Sequence, residues 1–139
     1  MATIGYSAAP LAKKLGIKEG YLLRLINAPP HYLSLFEDWP QNVSIENSTI
    51  PKKDFIHFLT AESAQLFAKL PLLKEEIRQA GAVWVSWPKK AAKVPTDITE
   101  DVIRDFAIRI GLVDVKVCAV DAVWSGLKLI IPIRHRKSI

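Results

Sequence analysis

Apolar positions in this chain fall into short dense runs separated by proline, glycine and charged residues. Tyr21-Leu-Leu-Arg-Leu-Ile-Asn27, Asp54-Phe-Ile-His-Phe-Leu-Thr60 and Ala82-Val-Trp-Val-Ser-Trp87 show little alternation. Such runs predict strands covered on both faces. Val43 to Glu46 predicts a weaker strand, and 113–121 and 127–133 predict two more. Helical patterns lie between them. Ser7 to Gly16 reads as a short helix, with Pro10 in the first turn and Gly16 at the C-terminal cap. Pro29-Pro30 opens a helical stretch reaching about Phe36. Thr60-Ala-Glu-Ser63 carries helix-start chemistry for a helix to about Leu70. Pro71 predicts a break, followed by a second helix over 71–80 that Gly81 closes. Thr99 is placed to cap a helix over 100–110 whose apolar face is Val102, Ile103, Phe106 and Ile110. On its other side Glu100–Arg104 and Asp105–Arg109 are correctly ordered i,i+4 pairs.

Strands alternating with helices predict an α/β fold. It is read as a three-layer, Rossmann-like, mostly parallel sheet of about six strands. Only residues 122–126 join the last two strands, so they form an antiparallel C-terminal hairpin. Numbered along the chain, the strands are expected in the order 2-1-3-4-6-5. Strand 6 is apolar on both faces and belongs inside; Asp114 and Lys116 suit strand 5 to the edge. One link is tight. Residues 47–53 between strands 2 and 3 span at most roughly 23 to 25 Å. Strand 2 is therefore either very short or antiparallel.

The length of 139 residues supports one domain, read as 1–133 with a basic tail over 134–139. Half of the residues are hydrophobic and 24% are charged, which excludes a disordered or disulfide-framework chain. No apolar run reaches the length of a membrane span, and the opening residues lack the pattern of an export signal. A cytoplasmic address and no membrane partner are expected. The net charge is +5, but Arg134, Arg136 and Lys137 account for much of it. No aromatic residue is interleaved with that tail, so nucleic acid is not the expected partner. Homo-oligomerisation is left open. One cysteine, Cys118, and three scattered histidines give no metal-ligand spacing.

Three stretches carry a resemblance. They are Pro10-Leu-Ala-Lys-Lys-Leu-Gly-Ile-Lys18, Trp87-Pro-Lys-Lys90 with Thr96-Asp-Ile-Thr99, and Asp114 through Lys128. On them the chain resembles a family of small bacterial proteins grouped as a domain of unknown function. The expected strand order resembles a cut-down class I (S-adenosylmethionine-binding) methyltransferase sheet. The resemblance implies a fold and brings no activity with it. In that fold the cofactor lies just after strand 1, against a glycine-rich turn. Here the turn is Asn27-Ala-Pro-Pro30, with no glycine and two residues that lack an N–H. No cofactor is therefore expected.

Ligands of open α/β sheets bind at the carboxyl ends of the strands where the order reverses. That places Asn27, His31, Thr60 and Glu62 at a candidate crevice, with a helix N-terminus after Thr60 to attract an anion. Lys89, Lys90 and Lys93, followed by Thr96, leave strand 4 at the same edge. Trp124 lies in the expected hairpin, where it either packs on the sheet end or stacks on a ligand. His57, flanked by Phe55, Ile56, Phe58 and Leu59, reads as a hydrogen-bonded core histidine, and Cys118 as packing. No Ser-His-Asp order, P-loop or HExxH motif occurs. The leading expectation is a binding module for a small anionic ligand or a protein partner. One alternative is an enzyme acting on an anionic metabolite, with His31 or Glu62 in proton transfer. Another is a weak nucleic-acid binder using the 88–93 loop and the tail.

Overall fold

The computed structural model describes residues 9–137. Ser7 and Ala8 of the expected first helix, and Ser138 and Ile139 of the tail, lie outside them. Six strands form one sheet in the order 2-1-3-4-6-5. They are β1 (Leu22–Ile26), β2 (Ser44–Ile45), β3 (Lys53–Leu59), β4 (Ile77–Pro88), β5 (Val113–Ala119) and β6 (Trp124–Ile130). β1 pairs in parallel with β2 and β3, β3 in parallel with β4, and β6 antiparallel with β4 and β5. The tight link before β3 is resolved by brevity: β2 has two residues and runs parallel.

Alternation assigns the two faces. Ile56, Phe58, Val83, Val85, Leu127 and Leu129 point to one side. There they meet Leu66, Leu70 and Leu73 of α2 (Ser63–Glu76), and Ile103 and Ala107 of α3 (Glu100–Arg109). Leu23, Phe55 and Trp84 point to the other side. They meet Ala12 and Leu15 of α1 (Leu11–Leu15), and Tyr32 and Phe36 at a 3₁₀ turn over Tyr32–Leu35. Trp84 and Trp87 fall in different clusters, as their odd spacing requires. One face thus carries two full helices and the other only short pieces.

Several elements differ from the sequence reading. The first helix is confined to Leu11–Leu15; Asp38 anchors it, its carboxylate accepting the N–H groups of Ala12 and Lys13, both at 3.0 Å. Pro71 does not break α2, which runs through it. An internal proline costs about 3 kcal/mol. Burying Leu66, Leu70 and Leu73 along one stripe returns about 1.5–3 kcal/mol each, so packing wins. The helix expected over 71–80 stops at Glu76, and β4 begins at Ile77. Gly81 is therefore a strand residue and not a cap. A Cβ there would lie 3.0–3.1 Å from the carbonyl oxygens of Lys53, Asp54 and Arg78. Only glycine lets β4 come this close to the start of β3. Gly81→Ala should destabilise the protein by about 1–3 kcal/mol in urea unfolding. A cost below a few tenths would show that the backbone yields easily.

β6 starts at Trp124, three residues earlier than expected, and ends at Ile130. The Asp121 carboxylate accepts the N–H groups of Val123 and Trp124, both at 2.8 Å, and tightens the turn so that pairing resumes sooner. Part of the expected tail is folded back. Arg136 Nε donates to the Ile131 carbonyl at 3.0 Å, and the Lys137 N–H to Gln79 at 2.8 Å. On α3, Thr99 accepts the Val102 N–H at 3.2 Å as expected. Arg104 pairs with Glu100, Asp101 and Asp114, while Asp105 and Arg109 form no ion pair among the described residues. No helix among the described residues is long and apolar enough to cross a membrane.

Candidate functional site

The carboxyl ends of β1, β3 and β4 share one edge of the sheet with the β5–β6 turn. The candidate residues arrive there in three groups.

The first surrounds the end of β1. Asn27 has φ 62°, a left-handed conformation that asparagine tolerates better than most residues. It makes a glycine-like corner but adds a side chain. Its Nδ2 donates to the Leu59 carbonyl at 2.9 Å and to Gln65 Oε1 at 3.2 Å. The buried Thr60 donates its hydroxyl to the same Gln65 oxygen and accepts the Glu62 N–H at 3.2 Å. An Asn27–Gln65–Thr60 network thereby spans the gap between β1 and β3. Glu62 caps α2 by backbone alone, and its side chain is exposed.

The second lies at the start of α2. The Ser63 N–H donates to Asp97 Oδ1 at 2.7 Å and the Ser63 hydroxyl to Asp97 Oδ2. These bonds from Ser63 hold the Asp97 carboxyl below its usual range. Thr96 donates to the Ala61 carbonyl at 2.7 Å. The amide end that the sequence offered to an external anion thus already faces a carboxylate of this chain. Asp97 escaped the sequence reading because Thr96-Asp-Ile-Thr99 looks like the cap of α3 alone. Lys90 lies in a 3₁₀ turn over Lys90–Ala92, and Lys93 follows with φ 56°. Both are exposed and join neither hydrogen-bonded group.

The third group joins three loops. His31 Nε2 lies 3.7 Å from Asp121 Oδ2, with the His31 side chain 58% exposed and that of Asp121 15%. The Lys89 N–H donates to the Val123 carbonyl at 2.8 Å, which fixes the loop after β4 against the β5–β6 turn. Trp124, expected in the hairpin, opens β6 opposite Pro88. His31, Lys89, Asp121 and Trp124 therefore converge although more than 90 positions separate the first from the last. Lys89 and Lys90 form no ion pair among the described residues. The His31 imidazole thus presents Nε2 toward a carboxylate, at ion-pair and not hydrogen-bond distance.

Beneath this edge lies a buried network. His57 is fully buried, with Nδ1 2.7 Å from the Tyr32 hydroxyl and Nε2 2.7 Å from the Ser86 hydroxyl. Either neutral tautomer satisfies both partners. Burial lowers the His57 pKa to about 3, against a smaller opposing pull from Asp121, and burial raises that of Tyr32. Burial likewise raises the Cys118 pKa, despite Lys14 and Lys116 nearby, so the thiol stays protonated. His57 and Tyr32 are core, and Cys118 is half-buried and packs against that cluster, in line with the sequence reading of His57 and Cys118.

No protein-family model matches the chain, and no curated protein does. Solved structures do. A protein assigned to the type 11 methyltransferases, from Sulfolobus solfataricus, matches with a TM-score of 0.59 at 15% identity, over 93% of this chain and 90% of that one. A SAM-dependent methyltransferase from Aquifex aeolicus matches with a TM-score of 0.58 at 17% identity, over 86% and 87%. Magnesium protoporphyrin IX methyltransferase from Synechocystis PCC 6803, solved with bound SAM, matches with a TM-score of 0.57 at 10% identity, over 86% and 73%. The chain has the α/β fold of the class I methyltransferases, with the strand order and antiparallel terminal pair that its sequence implies.

Proposed function

We propose that the protein is an enzyme of methyltransferase fold that acts on a small anionic metabolite at the carboxyl edge of its sheet, by proton transfer through His31. The observation that carries this reading is the exposed His31 imidazole 3.7 Å from Asp121, in a loop cluster that the Lys89 N–H ties together and where Lys89 and Lys90 form no ion pair among the described residues. The fold suggests S-adenosylmethionine, but the residues present do not fit it. Asn27 fills the gap between β1 and β3 that a glycine turn leaves open, Pro29 and Pro30 offer no N–H, and Asp97 faces the start of α2. Glu46, just after β2, is turned back onto the Ser48 hydroxyl and N–H.

In the proposed reaction the Lys89 and Lys90 ammonium groups attract the anionic group of the metabolite. Trp124 offers an apolar wall. A substrate O–H, N–H or C–H proton passes to His31 Nδ1, and the bonding pair stays on the substrate. The Asp121 carboxylate stabilises the imidazolium that forms.

The test is a thermal-shift screen of phosphorylated and carboxylate metabolites, nucleotides and S-adenosylmethionine. An anionic metabolite should raise the melting temperature by roughly 5–10 °C at a hundredfold excess over its Kd. The double variant Lys89→Ala/Lys90→Ala should lose that shift, and His31→Gln should keep binding but lose turnover of the compound found. Binding of S-adenosylmethionine alone, or anion binding indifferent to Lys89 and Lys90, would overturn the reading.

A further inference from the structure

The opposite end of the sheet holds a cavity of about 230 Å³, where β1, β3 and β4 begin and β6 ends. It exists because α1 has only five residues, about 7 Å of helix, and stops at Gly16 before covering the amino ends of the strands. Phe55 and Ile130 line it, and Gly16, Asp54, Lys128 and Arg136 contribute backbone and polar groups.

We propose that this cavity binds a small phosphate-bearing metabolite, held by Lys128 and Arg136 within the field of Lys18 and Lys116.

Lys128 carries the argument. It is partly buried on the face that α1 covers, and its Nζ would lie 3.3 Å from a Cβ added at Gly16. It makes no hydrogen bond or ion pair among the described residues. Burial lowers its pKa, and the positive charges of Lys116 and Lys18 lower it further. A lysine kept only for solubility would extend into water. This one lines the cavity, partly buried, and is set against like charges. An entering anion relieves both penalties at once.

The neighbouring groups cannot do so. Lys116 Nζ is engaged with the Lys14 carbonyl at 2.7 Å. Asp54, the acid on the cavity wall, accepts the Leu22 N–H at 2.8 Å and faces Arg78 at 3.4 Å. Arg136 is anchored through Nε to the Ile131 carbonyl at 3.0 Å and forms no ion pair among the described residues, so its terminal nitrogens suit a phosphate. The Lys–Arg combination and the size of the hollow point to a compact phosphate ester or diphosphate. This inference is independent of the carboxyl-edge reading, since the two ends share no residue.

The experiment is a titration of the ¹⁵N-labelled protein with pyrophosphate at low ionic strength. Saturable amide shifts should concentrate at Gly16, Tyr21 and Ile130. Lys128→Met should weaken the binding at these amides about tenfold or more while keeping the folded spectrum. Its melting temperature without ligand should equal or exceed that of the parent, because a repelled charge has been removed. Lys89→Ala/Lys90→Ala should leave these shifts intact, which separates this site from the other edge. Absence of saturable shifts at the three amides, or unchanged affinity in Lys128→Met, would overturn the assignment.

Discussion

Between pH 7 and pH 5 this protein should lose about 2 kcal/mol of stability through His57 alone. The side chain is fully buried and its pKa falls to about 3 in the folded state, mainly through burial. Once the chain unfolds it returns to about 6.5. Below that value the unfolded chain takes up a proton that the folded chain refuses, so stability falls as pH drops and is fully present above it. The loss continues to the folded pKa, where it totals on the order of 4 kcal/mol. That is a large share of the 5–15 kcal/mol typical of a domain. The interval from pH 7 to pH 5 isolates this histidine best, since carboxylates stay largely ionised there. Urea unfolding at several pH values measures the slope directly. His57→Gln, which can still hydrogen-bond Tyr32 and Ser86, should flatten it by the equivalent of one proton. An unchanged slope in that variant would show that the proton is taken up elsewhere.

Trp84→Ala should cost about 3–5 kcal/mol, the usual range for deleting a buried aromatic side chain. Trp84 is fully buried at the centre of the face that α1 covers, and its Nε1–H donates to the Leu15 carbonyl at 2.8 Å. Gly126 faces it across the β4–β6 pair, where a Cβ would come within 3.0 Å of the indole. Position 126 therefore has no side chain to fill the void. Trp84→Phe separates the two contributions. It keeps most of the volume but orphans the Leu15 carbonyl, and should cost about 1–3 kcal/mol. Urea unfolding of both variants settles the ranking. Equal and small costs, below about 1 kcal/mol, would mean that the indole neither fills the core nor fastens α1.

The strand order was legible because its signals are local and redundant. Three dense apolar runs bounded by turn residues suggest covered strands, and five residues cannot carry a crossover. The misreadings occurred where a local rule met a tertiary demand. Pro71 sits in a helix because three leucines along one stripe outweigh it. Gly81 reads as a cap, since nothing nearby in sequence announces that the start of β3 passes within van der Waals contact. The candidate site was legible in its location and not in its pairings. His31 can be placed after β1 from sequence, but its carboxylate partner lies 90 positions away in a turn. Asp97 and Gln65 were missed for the same reason. Their roles depend on where segments cross, and residue type alone does not report that.

The uneven cover of the sheet bears on how the molecule breathes. The side bearing α2 and α3 is locked by long helices. The other is roofed by a five-residue helix tied down by Asp38 and one indole, and by a single 3₁₀ turn. Subglobal opening should begin at that thin roof, so amides of α1 and the 31–36 segment should exchange with solvent sooner than those of the β3–β4 ladder. Such an opening would wet His57 while the remaining body stays intact, turning a proton sealed inside the native state into one that transient excursions can reach.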